Sequence, residues 1–302
     1  MNKNDKEILC RLIRDHEDLL GASRTALLAL ESFMASIERL KCSPEQIKEL
    51  YLELAEAIKE TRPRIIPLIH LIEEFEQEMR PHFNGDLEKV RSKAISILQA
   101  KHAKLKAKVG KIIELGMGCI EQGDTIIVHT ASMDVVNMLI LAGQVMGKEI
   151  KVIVLKQDFV KTRKIIKALN QARMDTVVVP EYAMGHYLQQ ANKMFVGALS
   201  ITYDGKAVTA VGTANIVSLC HYHDIPVYLF ANTLKFSHLP SQDQQIHTKS
   251  VEQVQDQCSY RLTVYSHDLL EMKMVDFLVT ENGVYPQEMI AGVIASQHGQ
   301  QA

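Results

Sequence analysis

The stretch TIIVHTASMDVVNMLILAGQVMGKEIKVIVL, residues 125–155, decides the fold class. Two short apolar runs, at 125–129 and 150–155, flank a segment whose apolar residues recur at helical spacing. The order strand, helix, strand predicts a βαβ unit, in which the two strands lie parallel in one sheet. Because the strands are continuously apolar rather than alternating, we expect helices to cover both faces of that sheet.

The same alternation of strand and helix continues towards the C-terminus. Further apolar runs lie at 176–180, 193–197, 226–231 and 275–280. Helix-like segments lie at 160–173, 183–191 and 213–224. This pattern predicts the α/β fold class, with a Rossmann-like, doubly wound and mostly parallel sheet in a domain of residues 121–302. The polar, Gln-rich region 239–276 is interpreted as a long, less regular crossover or flap.

The first part of the chain has a different period. At 26–40 the apolar residues recur at three- and four-residue spacing, which is typical of an amphipathic helix. A Lys-rich segment from about residue 86 to residue 118 predicts one long helix with a solvated face. We therefore expect an N-terminal helical domain, residues 1–120, ahead of the sheet domain.

Composition disfavours several classes of function. The 302-residue chain has a formal net charge of -2, so direct binding of nucleic acid is not expected. Neither a secretory signal nor an apolar stretch long enough to span a membrane is expected. Five cysteines, an odd number without a CxxC pair, favour reduced thiols and a cytoplasmic location.

The motifs predict neither a cofactor nor a metal. The sequence lacks GxGxxG after the first predicted strand and lacks GxxxxGK[ST], so neither the usual dinucleotide site nor a P-loop is expected. The HYHD segment at 221–224 has no matching cluster of carboxylates or thiols, which favours histidines at a helix C-terminus over a metal site. Cys119 and Cys220 lie in apolar helical contexts and are interpreted as buried, inert thiols.

The candidate ligand residues lie where the predicted strands end, because open α/β sheets bind ligands beyond the carboxyl ends of their strands. Ser132 and the pair Gly212-Thr213 begin helices, whose N-terminal amides attract phosphate, although ordinary capping is the alternative at each. Lys235 is interpreted as an anion partner, with a solvated or salt-bridged lysine as the alternative. The predicted ligand residues are His129, Ser132, Gly197, Gly212, Thr213 and Lys235.

Six motifs occur in an order that resembles a known family. They are GDTIIVHTAS (123–132), GKEIKVIVL (147–155), VVVPEYAMGHYLQQANKMFVGA (177–198), VGTANIVSLCHYHDIPVYLFA (211–231), LKFS (234–237) and VTENGVYP (279–286). From about residue 90 to residue 290 the chain resembles the alpha, beta and delta subunits of translation initiation factor 2B. Methylthioribose-1-phosphate and ribose-1,5-bisphosphate isomerases belong to the same family, and this chain resembles the alpha-subunit type. The resemblance implies a helical domain on a Rossmann-like domain, dimers formed through the C-terminal domain, and a sugar-phosphate pocket between the domains.

Compared with the isomerases of that family, the sequence departs from the pattern at reactive positions. The resemblance places a cysteine directly after the histidine of the first strand, where this chain has Thr130. It places an aspartate after Gly-Ala, where this chain has Leu199, and an Asn-Lys pair where it has Thr209-Ala210. Isomerisation of a sugar phosphate moves a proton or hydride between carbons, and loss of one positioned acid or base costs about 10²–10⁴ in rate. Thr130 and Leu199 are therefore interpreted as degenerate catalytic positions, and no catalytic residue is predicted.

Three functions stay open on the sequence. The favoured one is a non-catalytic regulatory or assembly protein of the alpha-subunit type, which forms a homodimer. Its candidate ligand is a phosphorylated small molecule and its candidate partner is a translation factor. The second is a sugar-phosphate isomerase with relocated catalytic groups, for which His129, Asp204 and Lys235 are candidates. The third is a helical–Rossmann protein that binds another ligand, such as a nucleotide monophosphate.

Overall fold

The computed structural model describes most of the chain. The described residues are 21–39, 44–60, 64–84, 86–129, 132–156, 159–244, 246, 248–255 and 258–299. Thr130, the first of the two degenerate positions, lies outside them. Its place in the candidate site therefore stays a prediction.

The described residues form eight α-helices, numbered in chain order. They are α1 (Ala22–Arg39), α2 (Pro44–Lys59), α3 (Ile66–Met79), α4 (Leu87–Gly118), α5 (Met133–Gln144), α6 (Phe159–Gln171), α7 (Thr213–Tyr222) and α8 (Gln287–Gly299). Helix α1 packs on α3 and α4, and α2 packs on α3. The long helix expected at about 86–118 is confirmed as α4, which has 32 residues.

The buried stripe of α1 explains why this N-terminal region packs together. Ala26, Leu30, Phe33 and Ile37 are buried and lie three or four residues apart, so they face the same side of the helix. Phe33 meets Phe75 of α3 edge to face, with ring centroids 5.3 Å apart. Full burial of one such side chain contributes about 1.5–3 kcal/mol, so tertiary packing rather than intrinsic propensity stabilises these helices.

The described strands number thirteen. They are β1 (Thr125–Val128), β2 (Lys151–Lys156), β3 (Asp175–Pro180), β4 (Lys193–Gly197), β5 (Ser200–Thr202), β6 (Lys206–Ala210), β7 (Val227–Phe230), β8 (Phe236–Ser237), β9 (Thr248–Gln255), β10 (Cys258–Tyr265), β11 (His267–Glu271), β12 (Phe277–Thr280) and β13 (Gly283–Pro286). Seven form the main sheet, in the order β13-β12-β7-β4-β1-β2-β3. Its neighbours are parallel except β12 and β13, which are antiparallel. The predicted α/β class with a doubly wound, mostly parallel sheet is confirmed.

Strand β1 lies at the centre of this sheet and is covered on both faces. Ile127 packs in one apolar cluster, whereas Ile126 and Val128 pack in another on the opposite face. All three side chains are fully buried, as the continuous apolar run predicts. The strand order reverses between β1 and β4, and such a switch point is where doubly wound sheets bind ligands.

Residues 197–213 contain strands β5 and β6 and end at the start of α7. Strands β5 and β6 make a hairpin whose turn contains Asp204 and Gly205, and Gly205 adopts the left-handed φ of 77° that favours glycine. This hairpin belongs to a second, four-stranded sheet with the order β11-β6-β5-β8. The helix start predicted at Gly212-Thr213 is confirmed.

Two expectations about regular structure are wrong. The segment 183–191 forms no α-helix, because it consists of two 3₁₀ turns, Glu181–His186 and Leu188–Gln190. Only Met184 and Leu188 of these turns are buried, so the segment offers too narrow an apolar face to support a longer helix. The region 239–276 connects β8 to β12 but is largely regular, since it contains β9, β10 and β11.

The helical region packs directly on the second sheet. Leu199, Val208 of β6 and Leu234 belong to the same apolar cluster as the buried side chains of α1 to α4. Helix α4 contributes Leu105 to this cluster and Ile112 to the core beside β1, so it spans both cores. The division into domains of residues 1–120 and 121–302 remains our proposal.

Candidate functional site

Three side chains meet at the carboxyl edge of the main sheet. His129 follows β1, Glu181 follows β3, and Thr213 begins α7. Nδ1 of His129 lies 3.0 Å from Oγ1 of Thr213, and Nε2 lies 2.7 Å from Oε1 of Glu181. The three residues therefore form a continuous chain of carboxylate, imidazole and hydroxyl. Two of them, His129 and Thr213, are ligand residues predicted from sequence.

Only one end of this row of hydrogen-bonded side chains reaches solvent. The side chain of His129 is 0% exposed and that of Glu181 is 28% exposed, and Thr213 is fully buried. A carboxylate that holds one imidazole nitrogen while a hydroxyl meets the other is the arrangement that orients a histidine for proton transfer. Here, however, the hydroxyl is the buried end, so Glu181 is the group that can exchange a proton with a bound molecule.

The N-terminus of α7 already holds a carboxylate. Gly212, the residue before the helix, has a left-handed φ of 90°. As a glycine it has no side chain that could cap the helix. Oδ2 of Asp268, from β11, accepts hydrogen bonds from the backbone N–H groups of Gly212 at 2.9 Å and Ala214 at 3.1 Å. A phosphate at these two amides would have to displace Asp268. The ligand roles of Gly212 and Thr213 thus stay predictions, and the carboxylate of Asp268 would compete with any anion there.

Lys235 is buried rather than solvated. It ends a 3₁₀ turn after β7, and only 5% of its surface is exposed. Its Nζ donates a hydrogen bond of 2.7 Å to the backbone oxygen of Ala198, the residue after β4. The solvated-lysine alternative is therefore wrong. The ammonium links the carboxyl ends of two neighbouring strands, and its role as an anion partner stays a prediction.

The degenerate position Leu199 lies in hydrocarbon. It directly precedes β5, and its backbone N–H donates to the oxygen of Val208 at 2.8 Å. Its side chain packs in the cluster that joins the second sheet to the helices. The neighbouring Thr209 is also buried, and its hydroxyl has no hydrogen-bond partner within the described residues.

The remaining predicted helix start is Ser132, which precedes α5. Its extended backbone suits an N-cap, but its hydroxyl makes no capping hydrogen bond. Asp134 lies in the first turn of the same helix, where its charge would oppose an anion at these amides. Gly197 ends β4 at the switch point and is buried. Their ligand roles stay predictions.

Asp204 has a structural role in the described chain. Its carboxylate accepts hydrogen bonds from the N–H and the hydroxyl of Ser241, at 3.0 and 2.6 Å. Burial alone would raise the pKa of Asp204, but the hydrogen bonds from Ser241 and Thr202 outweigh it and lower the pKa. Asp204 therefore fixes the β5–β6 turn to the segment after β8 and stays ionised.

The cysteines and histidines named from sequence show no reactive arrangement. Burial raises the pKa of the Cys220 thiol to about 12 and also raises that of the half-buried Cys119, as expected for inert thiols. His221 and His223 are exposed at the end of α7. Within the described ranges no three His, Cys, Asp or Glu side chains are placed to hold a metal ion. No helix in that part of the chain is both long and apolar enough to cross a membrane.

The sequence comparison now decides the family. The model of the Initiation factor 2 subunit family matches residues 19–287. This chain belongs to the Initiation factor 2 subunit family. A family member named as an eIF-2B subunit 2-like translation initiation factor, from Pyrococcus furiosus, is 28% identical over 91% of this chain and 95% of its own length. Ribose 1,5-bisphosphate isomerase from the same organism is 25% identical over 93% of this chain and 91% of its own length.

Solved structures of the family share the fold. A translation initiation factor eIF-2B from Pyrococcus horikoshii superposes with a TM-score of 0.76 at 24% identity, over 95% of this chain and 98% of that one. The 5-methylthioribose 1-phosphate isomerase from the same organism gives 0.78 at 15% identity, over 98% of this chain and 88% of that one. A structural relative from Chaetomium thermophilum, with a TM-score of 0.68, is part of a tetrameric beta2-delta2 complex. Proteins named as initiation factor 2B subunits and proteins named as isomerases thus share this fold.

Proposed function

We propose that this chain is a non-catalytic, alpha-subunit-like member of the Initiation factor 2 subunit family, with a regulatory or assembly role. In this proposal it forms a homodimer in the cytoplasm and docks on a translation factor. A phosphorylated sugar or nucleotide remains the ligand class for the carboxyl edge of its sheet. Similarity to both eIF-2B-like factors and isomerases supports the family-level part of this reading.

The observation that carries the proposal is the burial of Leu199. The isomerases that the sequence resembles have an aspartate at this position, whereas Leu199 packs against Leu234 and the helices. A leucine cannot accept or donate a proton, and its hydrocarbon surroundings would disfavour a charged replacement. A reaction that depends on a carboxylate at this point has no support in this chain.

Two further contacts support a weakened phosphate site. The ammonium of Lys235 binds the backbone oxygen of Ala198. The amides at the start of α7 bind Asp268. Groups that could neutralise a phosphate are thus engaged within the chain, so binding of an anion would have to replace existing hydrogen bonds.

The test of non-catalysis is a direct assay. Purified protein is incubated with ribose 1,5-bisphosphate or methylthioribose 1-phosphate, and the ketose product is followed by NMR, with a ribose 1,5-bisphosphate isomerase relative as positive control. We expect no ketose above the enzyme-free rate. Turnover by this chain that disappears in Glu181→Gln would overturn the proposal.

The assembly part has a separate test. Sedimentation of the purified chain should give a species of twice the 34.0 kDa chain mass, and mixing with purified initiation factor 2 subunits from the same source should shift that species. A monomer that leaves those subunits unshifted would overturn the assembly role while leaving non-catalysis standing.

One observation favours a second candidate, an isomerase with relocated groups. The Glu181–His129 pair, 2.7 Å apart, gives the switch point a carboxylate that reaches solvent and an imidazole behind it. In that case Glu181 would carry the proton between neighbouring carbons, and Glu181→Gln should lower turnover by about 10²–10⁴. Glu114→Gln is the control, because this carboxylate is exposed on α4, where it pairs with Lys111, and its loss should leave the rate unchanged.

A further inference from the structure

A cavity lies beyond the carboxyl ends of β7 and β12, beside helix α8. Its volume is about 360 Å³, within the range of about 300–1,000 Å³ that is typical of ligand pockets. Its walls come from Thr233 after β7, Thr280 at the end of β12, Tyr285 of β13 and one side of α8. Strands β7 and β4 separate β12 from β1, so β12 lies about 14 Å from the strand that precedes His129, at about 4.8 Å per strand. This α8 cavity is therefore distinct from the candidate site at His129.

Helix α8 lines the cavity with residues that share one side of the helix. Glu288, Met289, Gly292 and Val293 all line it and are spaced three or four residues apart. Gly292 lies in the interior of the helix, where glycine is less favourable than alanine. A Cβ atom added to Gly292 would meet no atom within 4 Å. A larger side chain at this position therefore has room to enter the cavity without a clash.

The charge at the cavity is negative. Among the described residues that line it, only Glu288 is charged. Lys108 of α4 lies next to the cavity, but its Nζ is bound to Oε1 of Glu281 at 2.5 Å and to Oγ1 of Thr233 at 2.8 Å. The side chain of Glu281 is only 7% exposed, so Lys108 and Glu281 neutralise each other behind the wall. The carboxylate of Glu288 then favours a cation in the cavity and opposes an anion such as phosphate.

The uncharged lining suits a cation that has a hydrocarbon part. Within the described residues, the side chains of Asn282, Tyr285 and Gln297 make no hydrogen bond with the rest of the chain. The amide oxygens of Asn282 and Gln297 can accept hydrogen bonds from an ammonium group, and the face of the Tyr285 ring attracts a cation. Met289 and Val293 add apolar surface against which methylene groups can pack.

We propose that the α8 cavity binds an organic ammonium ion, that is, a protonated amine on a short hydrocarbon chain. The ammonium group pairs with Glu288 beside the ring of Tyr285, and the hydrocarbon chain lies along Met289 and Val293. This site goes beyond the proposed function, which concerns the carboxyl edge around His129, and it does not depend on that function.

The experiment titrates the full chain with putrescine at neutral pH and follows binding by isothermal titration calorimetry. Butanediol, which has the same carbon chain without the charges, is the control ligand. We expect putrescine to bind the wild type and butanediol to give no binding heat at the same concentrations. Glu288→Gln should weaken putrescine binding by at least about threefold, the scale of an ion pair that remains partly in water. Glu114→Gln, which removes an exposed carboxylate of α4, should leave the affinity unchanged.

A second variant tests the cavity itself. Gly292→Leu should abolish putrescine binding because the new side chain fills the cavity. This variant should still fold, since replacing a glycine in a helix interior generally stabilises the helix. Gly110→Leu is the matched control, because Gly110 lies inside α4, also faces open space and does not line the cavity. Thermal unfolding of both variants checks that each is folded.

Three results would overturn the inference. If the wild type does not bind putrescine even at millimolar concentration, the cavity is not an ammonium site. If butanediol binds as tightly as putrescine, the charge of the ligand is not recognised and the proposed ligand class is wrong. If folded Gly292→Leu binds putrescine as the wild type does, the amine binds elsewhere on the chain.

Discussion

The carboxylate of Asp268 accepts hydrogen bonds from the backbone N–H groups of Gly212 and Ala214, over distances of 2.9 and 3.1 Å. An acidic side chain from β11 thus lies at the positive end of the α7 dipole, where the sequence predicts a phosphate. Asp268 stabilises the helix start and at the same time competes with any anion there.

Replacing Asp268 by alanine should therefore have two opposite effects. The free energy of unfolding should fall by about 1–3 kcal/mol, because two amides lose a charged acceptor. Affinity for inorganic phosphate should rise, because the helix start is vacated. Urea denaturation and isothermal titration calorimetry measure the two effects. Asp268→Asn, which keeps an oxygen but loses the charge, should fall between the wild type and the alanine variant; an alanine variant as stable as the wild type would contradict the capping role.

Glu181→Ala should destabilise the fold through His129. The variant leaves Nε2 of a buried imidazole without its partner at 2.7 Å, which costs about 1–3 kcal/mol of unfolding free energy. Glu181→Gln retains an acceptor and should cost less than the alanine variant. Equal loss in both variants, measured by urea denaturation, would mean that the charge rather than the hydrogen bond stabilises His129.

Leu199→Asp should not create an enzyme. It would bury a carboxylate in the cluster formed with Val208 and Leu234, and the free energy of unfolding should drop by more than about 3 kcal/mol. Leu199→Met, which nearly conserves volume, should cost less than about 1.5 kcal/mol. Thermal and urea unfolding provide the comparison. A Leu199→Asp variant that converts ribose 1,5-bisphosphate would show that the rest of the site can support catalysis. If that variant were also stable, the description of this position as apolar would be wrong.

Stability should decrease in mild acid because of His70. Its ring on α3 lies 5.2 Å from that of His238, after β8, so the pair links the helical region to the second sheet. Burial first, and then the neighbouring His238, lowers the pKa of His70 from 6.5 to about 4. Between these two values the unfolded chain binds a proton at His70 that the folded chain does not. The free energy of unfolding should therefore fall by about 2–3 kcal/mol as the pH drops from 6.5 to 4.

A matched pair of variants isolates this contribution. His70→Gln cannot bind the proton in either state, so its unfolding free energy should depend less steeply on pH over that window. His82→Gln, at an exposed position, should keep the wild-type slope. Identical slopes in all three proteins would assign the acid sensitivity to other groups.

The sequence predicts the parts of the site that depend on chain-local patterns. His129 follows a continuous apolar run, so its place at the carboxyl edge of a central strand follows from hydrophobicity alone. Thr213 follows Gly212 at a recognisable helix start. These signals need no knowledge of the neighbouring strands.

The missed partners depend on long-range pairing. Glu181 lies 52 residues from His129, and Asp268 lies 56 residues from Gly212. Only the directly preceding run at 176–180 marks Glu181 as an edge residue, and nothing local marks Asp268 as a cap. The sequence does not mark β10 as a strand, because its alternating Tyr260, Leu262 and Val264 stand among many polar residues.

Helix α4 has a mechanical consequence. With 32 residues at 1.5 Å each it is a rod of about 48 Å, anchored at Leu105 among the helices and at Ile112 beside β1. A hinge between the two halves of the molecule would have to bend or break this rod. We therefore expect heating to give one calorimetric transition. We also expect a displacement of the helical region to be transmitted through α4 to the central strand β1.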